Sequence, residues 1–367
     1  MSFRQSIEEF RRTFLRGVFS TLAGPANGCV RLPSSGIHRV LLIRPNHRLG
    51  NTLLLTPILA DIERAYPSAE IDIITAGQAA QDVFVGFDSV RNLLVLPRKI
   101  VRHPLVLLRT LHHLRSQRYD LAIDPCVSSQ TGRALLLISR STYKLGFVGT
   151  DSAGRISCGV AIPSCVKHMA QLPVYLLRMA RGEAFDVAPC PTLDIRLSEA
   201  ECKQGEQRLQ RILGKPSPGA FRIGVFGEAT GAKVLSEAWW KAMLETLPRA
   251  RRDVVFVEIL PAAGASKFGE AFASYYSTSI RRMAAVMAGL DLVISADCGV
   301  MHLAVASGRM TIGLFKVTDS SMYAPYGDNN FAVLVQGRSP EGVASEVIDR
   351  LGREGAWKGG LQNPSAA

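Results

Sequence analysis

Long apolar runs are missing from this chain: none approaches the roughly 20 residues that a bilayer-spanning helix needs. The seven cysteines, Cys29, Cys126, Cys158, Cys165, Cys190, Cys202 and Cys298, form no C-x-x-C pair. They also lack the dense, regular spacing of a secreted disulfide scaffold, so a reducing cytoplasm is the simplest setting. Aromatic residues are only 7% of the chain and no basic run is studded with them, which argues against nucleic acid as a partner. No repeat of roughly 20 to 50 residues is visible, which argues against a solenoid or propeller. Residues 14–26 imitate a signal peptide, but Arg16 and Gly17 break the apolar stretch early and no cleaved signal is expected.

What remains is a chain of 367 residues with 47% apolar content, enough for two domains of ordinary size. Its 43 Lys and Arg against 31 Asp and Glu give a formal charge of +12. Such a surface favours anionic partners: nucleotide diphosphates, phospholipid headgroups, phosphorylated glycolipid.

Strand and helix signals alternate from residue 37 onward. Strands are expected at 40–43, 71–75, 93–96 and 121–123, with helices at 52–66 and 104–117. A second alternation has strands at 221–226, 254–259, 292–294, 311–315 and 332–335, with helices at 236–247, 280–288, 300–306 and 341–351. Alternation of this kind predicts parallel sheets covered by helices. The division is then an N-terminal basic segment (1–36), a Rossmann-like acceptor domain (37–190), an interdomain passage (191–220), a Rossmann-like donor domain (221–352) and a tail (353–367). The stretch 186–220 that contains the passage is rich in proline (Pro189, Pro191, Pro216, Pro218) and carries one helix at 198–213. In the first segment Phe3, Ile7, Phe10, Phe14 and Val18 share a helical face, with arginines elsewhere around it. This face fits an anionic membrane surface or the protein's own surface, and both readings stay open.

Two loops carry the chemistry. Residues 290–315 run from an apolar strand into Asp297-Cys298-Gly299 and then a helix with His302. Gly299 permits a tight turn, and the free N–H groups of the helix make an anion site for a diphosphate. Near the other end, Arg44-Pro45-Asn46-His47-Arg48-Leu49-Gly50-Asn51-Thr52 repeats the strand, glycine loop, helix logic. Two such loops in two halves predict a cleft between them. A third loop, Gly224 to Lys233, has neither Walker nor Rossmann glycine spacing.

These two loops resemble the motifs of glycosyltransferase family 9, the ADP-heptose:lipopolysaccharide heptosyltransferases and their relatives. The residues that match are Arg44, Leu49, Gly50, Asn51, Leu53, Leu54, Thr56 and Pro57, then Asp297, Cys298, Gly299, His302, Leu303, Ala304 and Ala306. The similarity runs from about residue 37 to about 350. It implies the GT-B arrangement of two Rossmann-like domains facing across a cleft. The activity implied is metal-independent, inverting transfer of a sugar, foremost heptose from ADP-heptose, to a lipopolysaccharide-type phosphorylated glycolipid at the inner face of the cytoplasmic membrane. A different nucleotide sugar, or a catalytically impaired homologue that binds nucleotide sugar or glycan, are the alternatives.

By the same resemblance Thr230 and Lys233 meet the donor phosphates, Asp297 contacts sugar hydroxyls, and Cys298, Gly299 and His302 serve the diphosphate. Glu258 is placed with these donor-binding residues. Read from the residues alone, Asp297 is equally well a helix N-cap. Arg44, Arg48 and Asn51 are the acceptor-side candidates. No cofactor or metal is expected: Glu70 and Asp72 lie inside a strand rather than forming the DXD site of other glycosyltransferases, and no His, Cys or carboxylate cluster has metal-ligand spacing. The leaving diphosphate would be met by Lys233, the helix N-terminus and Lys316.

Three departures stand out. Asn51 replaces an Asp, Cys298 replaces Thr or Ser, and Arg309-Met310 replaces a Gly/Lys-Pro pair. The first bears on chemistry, because an amide cannot take the acceptor proton as a carboxylate would. Either another group is the base, with His47, Asp124, Glu228 and Asp297 as candidates, or Asn51 only orients the acceptor, or the chain is inactive. Asn51, His47 and Lys233 form the candidate catalytic set.

Overall fold

The computed structural model describes residues 30–98, 102–149, 156–214 and 219–353. The first half comprises β1 (Arg39–Arg44), α1 (Leu49–Leu53), α2 (Thr56–Ala65), β2 (Glu70–Ala76), α3 (Ala79–Phe84), β3 (Val90–Leu96), α4 (Pro104–Ser116), β4 (Tyr119–Asp124), α5 (Gln130–Ile138), β5 (Ser141–Val148), β6 (Cys158–Ala161) and α6 (Gln171–Ala180). The second comprises α7 (Glu199–Leu213), β7 (Phe221–Phe226), α8 (Glu237–Ala250), β8 (Val254–Ile259), β9 (Ala273–Tyr275), α9 (Ile280–Met287), β10 (Leu292–Ala296), α10 (Gly299–Ala306), β11 (Met310–Phe315), α11 (Ser320–Tyr323), β12 (Phe331–Leu334) and α12 (Pro340–Arg353).

Each half holds a six-stranded parallel sheet, in the order β3-β2-β1-β4-β5-β6 and, read from its other edge, β9-β8-β7-β10-β11-β12. The order in which strands are added reverses between β1 and β4 in the first and between β7 and β10 in the second. In open α/β sheets, ligands bind outside the carboxyl ends of strands at such switch points. The central strands are apolar on both faces, as parallel strands between helix layers must be: Leu41, Leu42, Ile43, Leu292, Val293 and Ile294 are all fully buried.

The expected helix over 52–66 is two helices. Leu54 closes α1 and α2 begins at Thr56 with Pro57 in its first turn. Proline has no N–H to continue a helical ladder but fits a helix start, so the break lies where the residues permit it. Residues 1–29, with the apolar face at Phe3 to Val18, lie outside the described residues. The chain that follows is tied down: Val30 N donates to Ser157 O at 2.8 Å and Leu32 N to Ala180 O at 2.8 Å.

One apolar core crosses between the halves, from Leu42 and Ile58 to Leu303 and Ala304 of α10. Charged groups fasten the passage between them. Arg178, fully buried, pairs with Asp61 at 2.8 Å and donates to the carbonyls of Phe185, Ala188 and Pro189. Arg281 binds Glu201 at 2.5 Å and the carbonyls of Ile195 and Asp82, while Asp82 Oδ2 accepts from Ile280 N at 2.7 Å across the halves. The Arg281 contact holds the Glu201 carboxyl down at about 2.

Candidate active site

The two motif loops meet. A Cβ placed on Gly50 would lie 2.9 Å from His302 Cδ2 and 3.3 Å from Gly299 Cα, and one on Gly299 would lie 2.9 Å from Gly50 N. Only residues without a side chain allow the two backbones this near. Asn51 follows Gly50 directly, so its position at the junction is set by that contact.

On the first half's side of the junction lies a cleft of about 690 Å³. Its walls include Arg44, Asn46 and Asn51 after β1, Cys126, Ser128 and Ser129 after β4, and Ile162, Val166 and Lys167 after β6. The second half closes it with Asp319, Met322 and Tyr323. One backbone and one side-chain contact hold that closure: Met169 N donates to Met322 O at 3.0 Å, and His168 Nε2 lies 3.0 Å from Ala324 O. His168 also stacks on Tyr326 at 4.8 Å between centroids, and burial lowers its pKa.

Of the acceptor-side candidates, Arg44 and Asn51 line this cleft, and Arg44 Nη1 rests on Cys126 Sγ. Arg48 is exposed at the start of α1, its N–H donating to Asn46 Oδ1 at 2.9 Å, and is not among the cleft's lining residues. His47 is exposed as well, with its backbone against Gly77. Asp124 lies beneath the loop that carries Cys126 and Ser129. It is fully buried, accepts from Cys126 N at 3.2 Å, and has Arg133 Nε 3.5 Å from its other oxygen. Burial pushes its carboxyl up to about 6, against the pull of Arg133.

The donor-side candidates gather at the carboxyl edge of the second sheet. Lys233 ends a short 3-10 turn (Gly231–Lys233) that Thr230, exposed, precedes. Its Nζ stands 2.8 Å from Asp297 Oδ2. Asp297 is not the N-cap that its position suggested. Cys298 occupies that place in extended backbone without a side-chain cap bond, and its Sγ lies 3.7 Å from Ser295 Oγ. Freed from capping, Asp297 is available to Lys233.

His302 is 4% exposed, and its Nδ1 has no hydrogen-bond partner. Burial, with nearby His168 adding to it, lowers its pKa to about 4, so the ring is neutral near pH 7. A phosphate there would meet a single ring N–H rather than a cation.

Glu258, the residue before the end of β8, is held by the loop that follows, accepting from Ser266 Oγ at 2.5 Å and Lys267 N at 2.7 Å. Glu228 pairs with Lys267 at 3.0 Å. Lys267 and Lys167 were not singled out by the sequence: each follows a strand, but no glycine pattern marks it, and only the sheet order brings it to the site. Lys316 donates to Val234 O at 3.3 Å, beside the Lys233 turn. Glu70 and Asp72 are both bound by Arg91, at 3.1 and 3.0 Å, a strand-face pairing. Among the described residues, no three His, Cys, Asp or Glu side chains are grouped as metal ligands.

The profile described as glycosyltransferase family 9 (heptosyltransferase) matches residues 107–349. The chain belongs to this family. It is therefore a glycosyltransferase by descent, and the family's solved members share its fold. A family 9 glycosyltransferase from Veillonella parvula DSM 2008 superposes with a TM-score of 0.70 at 16% identity, over 89% of this chain and 99% of that one. The E. coli heptosyltransferase WaaC with ADP gives 0.64 at 18% identity, and E. coli ADP-heptose lps heptosyltransferase II gives 0.63 at 16%. Both cover 86% of this chain and 99% of their own. A comparison with curated proteins gave no match. The two facing sheets are thus the GT-B arrangement, as the resemblance implied. Among the described residues no helix is long and apolar enough to cross a membrane.

Proposed function

We propose that this glycosyltransferase performs metal-independent, inverting transfer of a sugar, heptose in the first instance, from a nucleotide diphosphate donor such as ADP-heptose to a phosphorylated glycolipid of lipopolysaccharide type. The observation that carries the reading is the meeting of the two motif loops at Gly50, Gly299 and His302, which sets a lysine-rich anion site against a cleft of mixed polarity.

In this reading the second half binds the donor. A diphosphate takes Lys233 away from Asp297 and receives the N–H groups that open α10. Developing charge on the leaving diphosphate is met by Lys233, Lys316 and that helix terminus. Asp297, released, accepts from the sugar's hydroxyls. The first half binds the acceptor, with Arg44 and Lys167 facing its anionic groups. Asn51 orients the attacking hydroxyl, whose oxygen bonds to the anomeric carbon from the face opposite the departing diphosphate. The proton goes to another group. Asp124 lies behind Cys126 and Ser129, which wall the cleft, and with its carboxyl pushed up to about 6 it would take the proton through an intervening water, because it is fully buried and is not itself on the cleft wall.

The test measures nucleotide release from several nucleotide sugars, with a glycolipid acceptor and with or without chelator. Turnover is expected to be unaffected by chelator and to rise through about pH 6, a limb that Asp124→Asn removes while Asn51→Asp keeps or raises the rate. Chelator-sensitive turnover would overturn the metal-free reading. Tight donor binding with no turnover in wild type or Asn51→Asp would leave a nucleotide-sugar binding protein instead.

A further inference from the structure

Helix α4 and the chain leading into it are basic without relief. From Ser89 to Tyr119 the sequence has no Asp or Glu, yet it carries Arg91, Arg98, Lys99, Arg102, Arg109, Arg115 and Arg118. Arg91 is engaged by Glu70 and Asp72. Arg98, Arg102, Arg109, Arg115 and Arg118 are exposed and enter no ion pair among the described residues. Between them stand Leu105, 69% exposed, and Leu108, 62% exposed, three residues apart and so neighbours on one helical face. The inner face of α4 buries only Thr110 and Leu114 fully. Two large apolar side chains are thus left in water on a helix that had a sheet to pack on.

Direction places this patch. Strand β3 ends at Leu96 on the carboxyl edge of the first sheet and α4 starts from that edge, so Leu105 and Leu108, in its first turns, lie on the side where Arg44, Asn51 and Cys126 wall the cleft. Val127 and Ile162, 38% and 48% exposed, add apolar surface to that cleft. Leucines flanked by unpaired guanidiniums suit the boundary of an anionic bilayer: the leucines enter among the acyl chains and the arginines stay with the headgroups. A solvated face would need the arginines and not the leucines. We propose that α4 docks this protein on an anionic lipid surface with its cleft opening toward the membrane. The inference rests on the glycolipid-acceptor reading only for why the cleft should face lipid, since docking itself requires no turnover.

Flotation of the full chain with phosphatidylethanolamine vesicles, with and without phosphatidylglycerol, tests it. Binding is expected to the anionic vesicles, to weaken with salt, and to fall roughly tenfold or more in Leu105→Gln/Leu108→Gln. Arg102→Gln and Arg109→Gln should each cost about fivefold. Cooperative unfolding and ADP titration of each variant check that the fold is intact. Deletion of residues 1–20 in the same assay isolates α4: binding kept by the deletion and lost by the leucine pair supports the proposal. Wild type that ignores anionic lipid, or α4 variants that float like wild type, overturns it. Vesicle binding without sugar transfer would sink the transferase reading and leave docking standing. Transfer to a water-soluble acceptor without vesicle binding would do the reverse.

Discussion

The two sheets share one strand order, but the two halves use their charges differently. In the first half the buried charge is structural: Arg178 and Asp61 are both almost wholly out of water and hold the chain that leaves α6. In the second half the principal pair, Lys233 with Asp297, joins a carboxylate that is 6% exposed to a lysine that is 32% exposed, where the proposed function puts the donor diphosphate. One pair is sealed and the other is open to solvent on its lysine side. The buried titratable groups differ in the same way. Asp124 in the first half is held toward its neutral form, and so is His302 in the second, but neutrality means protonated for one and deprotonated for the other. Identical topology therefore fixes where a site can be, and the side chains after each strand fix what it binds.

The largest effect expected from breaking this contrast is at the sealed pair. Asp61→Ala strands the Arg178 guanidinium in the core and should cost about 3–5 kcal/mol of stability in denaturant unfolding. A loss below 1 kcal/mol would show that the pair is not sealed in solution.

The buried titrations come next and oppose one another. Asp124, raised to about 6, stabilises the fold most below its unfolded pKa near 4, and this contribution is lost as pH rises through 6. His302, lowered to about 4, contributes stability that is present above its unfolded pKa near 6.5 and is lost as pH falls through 4. Each is on the order of 3 kcal/mol, so wild type should show little net slope between about pH 4 and 6. Asp124→Asn should expose the histidine slope and gain stability relative to wild type above pH 6. Parallel pH profiles for wild type and Asp124→Asn would contradict this.

At the solvent-open pair, Lys233→Ala should weaken ADP binding by about 1.5–3 kcal/mol, the range for a charged hydrogen bond. Calorimetry reads it directly, and unchanged affinity removes Lys233 from the donor site. Smallest is the junction itself: Gly50→Ala forces a Cβ to within 2.9 Å of His302 Cδ2 and should cost about 1–3 kcal/mol by overpacking. A neutral result in thermal unfolding would mean that the two loops stand further apart than described.

Much of this molecule could be read from its residues. Strands β7 and β8 fall on the expected 221–226 and 254–259, where aromatic and β-branched residues dominate, and helix α7 announces itself through Ser198 and Glu201, which form a capping box. Other parts could not. Strand β5, Ser141–Val148, mixes Ser, Lys and Gly with its apolar residues, because only Leu145, Gly146 and Phe147 of it are buried. The break before Thr56 hides inside an unbroken apolar run, and its only sign is Pro57.

The sequence by itself determined the two-sheet α/β class, the two anion-directed loops and their family, because hydrophobic period, glycine placement and helix-opening residues act locally. Tertiary structure alone decided that Gly50 touches Gly299 and His302, that Lys233 finds Asp297 and that Asp124 lies under the cleft. It also left Leu105 and Leu108 in water. Those outcomes depend on which strands become neighbours and on what burial does to a charge, and neither quantity belongs to any single stretch of chain.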